Sequence, residues 1–254
     1  MTITTVIITF NEALHIGQCI ESVLPFSDEI IIVDSFSADK TIEIAATFPK
    51  TKVHQRIFDN YILQKNYANS LASSDFIFSL DADEWASDAL QSYFMEHKNS
   101  LPQVASFPRI NKIGTKSILY GTWYPDRKTR FWQKNHAQWA GTTPHEHLGF
   151  SKDIVETKLT FPIIHQAYLD INSLWLKSKK YATLASQELS KKSWISIGVS
   201  LLFSPIIKFC KGYFLKKGFL NGKIGFLIEF IIFVETFTKY FQAAINKIGI
   251  KKHS

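Results

Sequence analysis

Three carboxylates within four residues, Asp81, Asp83 and Glu84, close an apolar run from Phe76 to Leu80. The run has the length and composition of a fully buried strand. In an open α/β sheet, ligands bind beyond the carboxyl ends of the strands, so carboxylates placed there seek a cation. Asp81 and Asp83 lie two apart and share a face if the chain stays extended; a turn after Leu80 gives them separate tasks. Two aspartates suit a hard divalent ion, Mn²⁺ or Mg²⁺, that keeps positions open for diphosphate oxygens. The competing use of the cluster is a helix cap, with Asp83 and Glu84 favouring the start of a helix over Ser87–His97.

A second dense point is Gly141-Thr142-Thr143-Pro144-His145-Glu146-His147. Three titratable groups in a row, after a glycine and a proline, cannot all enter a core without partners, so a polar loop is expected. A zinc cluster of His-Glu-His fails on geometry, because adjacent residues on a strand point to opposite faces. Arg127 and Arg130, in Trp-Tyr-Pro-Asp-Arg-Lys-Thr-Arg-Phe, offer planar forks for a phosphate or carboxylate, and equally for ordinary surface pairing. The aromatic rings between Arg109 and Gly141 either fill a core or stack on a sugar. Trp123 and Trp139 flank the polar stretches and are the two expected at a sugar face.

The elements that must hold these groups read as strands alternating with helices. Thr4–Phe10 is a first buried strand, and Asn11-Glu12 opens a helix with Leu14, Ile16, Ile20, Val23 and Leu24 at its apolar positions. Glu29–Asp34 is a second strand, followed by a polar turn and a helix over Thr41–Phe48. A short strand, Lys52–Arg56, leads to a helix near Leu63–Ala72, to the Phe76 strand, and after the Ser87 helix to a strand at Val104–Phe107. This alternation predicts a parallel sheet. No Gly-x-Gly-x-x-Gly follows the first strand and no Walker loop occurs, which removes most of the case for dinucleotide and ordinary phosphate-loop sites. What remains is a set of strand ends carrying Asn11, Asp34, Asp81 and Asp83. An aspartate there can accept from uracil N3 or a ribose hydroxyl, and a metal-bound one can hold a diphosphate, which together describe a nucleotide-sugar cleft. Asp34 alone serves equally as a helix-capping turn, and Lys65 either reaches the diphosphate or sits solvated on its helix.

The four runs VIITFNEALHI, EIIIVDSFSADKT, QKNYA and SLDADEW, in this order and spacing, resemble family 2 glycosyltransferases with the GT-A fold. Phe36 and Ala38 depart from the commoner glycine and threonine of the second run. The resemblance implies inverting, metal-dependent transfer from a nucleotide sugar, a UDP-hexose; donor contacts are expected at Asn11, Glu12, Asp34, Lys65, Asp81 and Arg130. Inversion needs a base within hydrogen-bond reach of the acceptor hydroxyl, opposite the departing nucleotide. Glu146 is expected in that role, with Asp83 and Asp81 at the metal and Trp123, Trp139 and His145 on the acceptor side. His165, ending the run LTFPIIHQ, reads alone as a core histidine; GT-A enzymes commonly complete their metal site downstream of the core, which gives it that place here. From Trp123 through Pro144-His145-Glu146 and His165 to Lys217-Gly218-Phe219-Leu220-Asn221-Gly222, the chain resembles bacterial lipopolysaccharide core hexosyltransferases of the inner-core beta-1,4-glucosyltransferase type. That likeness implies transfer of a hexose, often glucose, to heptose of a lipid-linked glycan acceptor at the cytosolic face of the inner membrane.

Composition bounds the rest. The 254 residues accommodate one large α/β domain with an appendage, and the expected division is a catalytic domain over 1–165 and a helical extension over 166–254. Cys19 and Cys210 have no metal-ligand spacing and suggest no disulfide framework. The chain opens on a strand-like run with no basic leader or cleavage pattern, so a cytoplasmic location is expected. The net charge of +7 is gathered at one end: Lys191–Ser254 holds eleven lysines against Glu229 and Glu235. Ser173–Ser190 reads as an amphipathic helix. Ile195–Phe209 is interrupted by small polar residues and Pro205, and Ile224–Val234 by Glu229, so neither is expected to span a bilayer. Lysines interleaved with Phe, Leu and Ile fit helices lying on an anionic membrane rather than a nucleic-acid arm, the alternative being a subdomain or dimer interface with a basic face. The rival functions are a nucleotidyltransferase, which the missing glycine-rich loop disfavours, a membrane-docked scaffold without turnover, and a transferase acting on another surface glycan.

Overall fold

The computed structural model describes residues 1–142 and 145–249, and within them the chain forms two compact units. The first comprises Met1–Ile110 and Asp126–His165; the second comprises Asn111–Pro125 and the chain from Gln166 onward. One boundary between them falls at 165/166, and Asn111–Pro125 groups with the helical part.

In the first unit, β1 (Ile3–Thr9), β2 (Glu29–Asp34), β3 (Thr51–Gln55) and β4 (Phe76–Asp81) form a parallel core in the order β3-β2-β1-β4. The register sets Thr9 beside Asp34 and Ile8 beside Asp81, so three strand ends finish level. Strand alternation sorts the side chains onto two faces. Ile3, Ile7, Ile30, Ile32, Phe78 and Leu80 pack on one, toward α1 (Ile16–Val23), α2 (Thr41–Ala45) and α4 (Asp88–Glu96). Val6, Ile31, Val33 and Ile77 pack on the other, toward α3 (Tyr61–Leu71). Coverage on both faces explains why these strands read as unbroken apolar runs.

Antiparallel strands extend this core. β4 meets β8 (Asp126–Gln133), and β8 meets β6 (Val104–Ile113) across a bulge at Ala105/Ser106. The short β5 (Glu84–Ala86) pairs antiparallel with the start of β12 (Ile163–Tyr168), setting His165 opposite Glu84. β11 (Glu156–Lys158) runs beside β6. A separate hairpin joins β9 (Ala137–Thr142) to β10 (His145–Phe150), with Glu146 opposite Gly141. At the amino ends of the core strands, the carboxylate of Glu29 accepts from Thr4 Oγ1, Ser73 N and Ser73 Oγ at 2.8–2.9 Å and pairs with Lys52 at 2.8 Å.

In the second unit, the end of β6 pairs antiparallel with β7 (Lys116–Ile118), and three helices follow: α5 (Ile171–Leu189), α6 (Trp194–Cys210) and α7 (Lys223–Ile248). Asp170 and Ser173 form a capping box at the start of α5. A π-helical turn, Lys211–Leu215, and a 3₁₀ turn, Gly218–Asn221, connect α6 to α7. The core is built from Ile113, Ile118, Leu174, Ile228 and Ile231. The first apolar run, expected not to span a bilayer, forms one continuous helix through Gly198, Ser200 and Pro205, and Trp194–Leu215 is long and apolar enough to cross a membrane by length and composition. Glu229, 1% exposed within α7, accepts from Thr122 N and Thr122 Oγ1, both at 2.7 Å. Three glycines crowd it: a Cβ on Gly121 would lie 2.6 Å from Oε1, one on Gly212 would overlap Oε2, and one on Gly218 would touch Cγ.

Candidate active site

A cleft of about 680 Å³ in the first unit opens over the carboxyl ends of β1 and β4, where the strand order reverses. In α/β sheets this is the position where ligands bind. Its polar lining includes Glu12, Lys65, Asp81, Asp83, Glu146 and His165, and Phe10, Phe58 and Tyr61 form an aromatic part of the wall.

The turn after β4 separates the two aspartates. Asp81, the last residue of the strand, has Oδ1 on Lys65 Nζ at 2.8 Å and Oδ2 on Arg130 Nη2 at 2.7 Å. Asp83 projects two residues on, and its Oδ2 lies 3.3 Å from His165 Nε2. Asp81, expected beside Asp83 at the metal, is thus committed to two cations. Burial opposes ionisation of Asp81, but Arg130 and Lys65 outweigh it and hold the carboxyl well below the usual range. Lys65 is 8% exposed rather than solvated, and burial outweighs Asp81 in drawing its ammonium pKa down.

Arg130 does not offer its fork to a leaving group. It is 3% exposed, and its Nη2 also meets Glu84 Oε2 at 2.7 Å. Glu84 is fully buried and in turn pairs with Arg109 at 2.8 Å, whose other nitrogen holds Asp126 at 2.7 Å. Burial works against the Arg130 charge, but Asp81 and Glu84 raise its pKa above the ordinary value. Glu84 is therefore an anchor under the turn, not a helix cap; Ser87 caps α4, its Oγ accepting from Leu90 N at 3.3 Å. Neither Glu84 nor Arg109 stood out in the sequence as a partner, since β5, β6 and β8 bring them together from distant positions. A charged residue inside an apolar β pattern, as at Arg109, was the available signal.

The residues after β1 and β2 shape a rim. Asn11 has φ 55° and Phe36 φ 63°, left-handed positions that let the two loops interlock: Asn11 N donates to Ser37 Oγ, and Ala38 N to Asn11 Oδ1, both at 2.8 Å. Asp34, expected to contact the donor, is fully buried and accepts from Ser37 N at 2.9 Å and Ser37 Oγ at 2.5 Å. These bonds close a local turn after β2; α2 has Lys40 at its N-cap with no side-chain cap, so Asp34 does not cap that helix. Asn11 likewise spends its amide oxygen on the loop. Glu12 lines the cleft and pairs with His15 Nδ1 at 2.9 Å; burial raises its pKa, His15 eases the rise, and the nearby Asp83 charge adds to it.

Glu146 reaches the same cleft from β10, so the expected loop is a paired hairpin, and strand alternation directs Glu146 and the exposed His147 to opposite sides. Its Oε1 is buried with no hydrogen-bond partner among the described residues. Thr143 and Pro144 lie outside the described residues, as does the side chain of His145, expected at the acceptor. Trp139 is a correction: it is 7% exposed, packs edge-on to Trp132 at 6.1 Å and lies under Lys65 Nζ at 4.5 Å, so its ring supports the ion pair instead of facing a sugar. Asn66, next to Lys65, fastens the hairpin: its Nδ2 donates to Trp139 O and its Oδ1 accepts from Trp139 N, each at 2.9 Å. Trp123 belongs to the second unit, where its ring stacks on Tyr168 at 5.5 Å.

Among the described residues, no group of three His, Cys, Asp or Glu side chains is arranged to hold a metal ion. Asp83 and His165 supply one carboxylate and one imidazole at the cleft wall. This donor pair fits a divalent ion that takes its remaining ligands from substrate phosphates.

A family model described as "Glycosyl transferase family 2" matches residues 4–156. An "Uncharacterized glycosyltransferase" of Rickettsia felis (strain ATCC VR-1525 / URRWXCal2) is 30% identical over 242 residues, covering 90% of this chain and 84% of that protein. The "Lipopolysaccharide core biosynthesis glycosyltransferase LpsC" of Rhizobium meliloti (strain 1021) is 26% identical over 241 residues, covering 87% and 84%. The crystal structure of S. aureus TarS 1-349 covers 100% of this chain and 93% of its own at 12% identity, with a TM-score of 0.47.

Proposed function

The chain belongs to glycosyl transferase family 2, and from that premise we propose that it transfers a hexose, glucose by its sequence resemblance, with inversion from a UDP-sugar to a lipopolysaccharide inner-core acceptor. The observation that carries the reading is the division of labour in the cleft: Asp81 is neutralised by Lys65 and Arg130, while Asp83 with His165 and the unpartnered Glu146 oxygen line the same space. The likeness to LpsC supports a lipopolysaccharide core acceptor, heptose being the residue implied by the sequence resemblance. A lipid-linked acceptor places the enzyme on the cytosolic face of the inner membrane, with residues 1–165 catalytic and 166–254 membrane-associating.

In this mechanism Glu146 accepts the proton of the acceptor hydroxyl. The oxygen attacks the anomeric carbon on the face opposite the nucleotide, the new glycosidic C–O bond forms, and the bond to the diphosphate breaks with its electron pair leaving on UDP. Asp83 and His165 would hold a divalent metal, which when bound supplies positive charge to the diphosphate. Lys65 and Arg130 keep Asp81 ionised and fixed, so the turn carrying Asp83 does not drift. Phe10, Phe58 and Tyr61 give the cleft an aromatic wall against which a base can pack.

The test is a thermal-shift titration with UDP-glucose, UDP-galactose, GDP-mannose and UDP, with and without Mn²⁺. Stabilisation by a UDP compound that needs metal and is lost in Asp83→Asn is the expected result, together with loss of turnover in a variant that melts like the parent. A fully active Asp83→Asn protein refutes the assignment, and the absence of any nucleotide response at millimolar concentration refutes the donor.

A further inference from the structure

The second unit exposes more apolar surface than its helix packing uses. On α6, Ile195, Val199, Leu202 and Ile206 recur at helical spacing and are 53–80% exposed. On α7, Phe226, Phe230, Phe237 and Phe241 are 43–48% exposed, with Phe226–Phe230 and Phe237–Phe241 stacked at 6.0 and 5.8 Å. The turn between the helices puts Phe214 and Leu215 in solvent, 57% and 79% exposed. Stripes of this kind mark a surface that something covers.

The charges around the stripes say what covers them. Lys211, Lys216, Lys217 and Lys223 are all exposed in or beside this turn, and no acid lies between Lys191 and Ile228. Glu229 brings no surface charge, since its carboxylate is buried on Thr122. Lys208 stands near Lys239 and Glu235, and burial together with the second ammonium outweighs Glu235 and lowers the Lys208 pKa. A symmetric pairing of two copies through this face would set lysines against lysines. A nucleic-acid groove would not interleave them with exposed Phe and Leu. The pattern of lysines over dipped rings and aliphatics matches an anionic lipid interface.

We infer that the second unit docks on an anionic phospholipid leaflet through the turn Lys211–Gly222 and the apolar stripes of α6 and α7, lying in the interface and not crossing it. The inference deepens the membrane placement proposed above by naming the surface and the lipid class. Gly212 and Gly218 let the turn close over Glu229, and Lys217 adopts φ 57°, so the turn has a built shape with its lysines outward.

The test is co-sedimentation of the full chain with vesicles of phosphatidylcholine alone or with added phosphatidylglycerol. Binding is expected only with the anionic lipid and is expected to be released by salt. Each Lys near an anionic surface is worth roughly fivefold in binding, so Lys216→Glu/Lys217→Glu is expected to weaken it about 25-fold or more; Leu215→Asp tests the apolar part. All these positions are exposed, and equal melting temperatures check that the variants fold. Equal binding to both vesicle types, or no effect of the charge reversals, overturns the inference. So does retention after alkaline carbonate washing, which signals a crossing helix, or a lipid-free dimer that Leu215→Asp dissolves. Competition by duplex DNA at the same salt also overturns it. Vesicle binding without any nucleotide response leaves this inference standing and sinks the proposed reaction; the converse result does the opposite.

Discussion

Glu29 is the place where a single carboxylate's contribution can be worked out and measured. It sits at the amino end of β2, away from the cleft, and ties β1, β3 and the segment before β4 together through Thr4, Lys52 and Ser73. Burial alone would raise its pKa, but Lys52, Ser73 and Thr4 outweigh that and hold the carboxyl at about 2 against an ordinary 4.5. At about 1.4 kcal/mol per unit, the shift corresponds to about 3 kcal/mol of stability. Lys52 is 64% exposed, so the ion pair is screened and most of that sum rests on the hydroxyl and amide donors. Because the folded value lies below the unfolded one, the stabilisation is complete above about pH 4.5 and is lost as pH falls toward 2. Glu29→Gln is therefore expected to lose about 3 kcal/mol at pH 7, and the gap to the parent should close as pH falls toward 2. Urea midpoints followed by tryptophan fluorescence at stepped pH read this directly, since every other carboxylate is common to both proteins and cancels in the difference. Parallel curves for the two proteins across that range would refute the reasoning. Turnover per folded molecule at pH 7 should be unchanged.

Three further perturbations probe the site and the tail. Glu146→Gln is expected to lower kcat by roughly 10²–10⁴-fold with donor binding and melting temperature preserved; retention of most of the parent's turnover counts against Glu146 as the base. Arg130→Met leaves Asp81 and Glu84 without their shared guanidinium and should cost about 3–5 kcal/mol, read as a lowered urea midpoint; a parent-like midpoint means the network is not a structural anchor. Gly212→Ala forces a Cβ into Glu229 Oε2 and Thr122 Oγ1, which should cost about 1–3 kcal/mol and speed hydrogen exchange at the Thr122 amide without altering the nucleotide-dependent thermal shift.

The parallel core was legible because apolar runs alternating with helices are local patterns, and a carboxylate cluster closing the Phe76 run placed Asp81 and Asp83 at a strand end. The separation of Asp81 from Asp83 was foreseen only as an option. What decided it lay far away in the chain: Arg130 arrives on β8 and Lys65 on α3, and neither pairing leaves a trace in residue spacing. Asp34 was ambiguous for the opposite reason, since the turn that consumes it, at Ser37, is wholly local and competes with any ligand on equal terms. Trp139 was misplaced because an aromatic beside a polar stretch looks the same whether it faces a sugar or underlies a lysine. Asn111–Pro125 grouped with the helical unit through contacts such as Thr122 with Glu229, 107 residues apart, and no composition shift announces them.

The clasp between Asn66 and Trp139 has an architectural consequence. One side-chain amide satisfies both the N–H and the C=O of a single strand residue, as a neighbouring strand would, so the β9–β10 hairpin is latched to α3 at one point. Lys65 and Asn66 are consecutive, and the helix that presents the lysine to Asp81 therefore also sets the height of the hairpin bearing Glu146. The hairpin is in effect a cartridge. Substitutions elsewhere on β9 and β10 leave this latch intact, so the strand that carries Glu146 keeps its position against α3 while the hairpin around it changes.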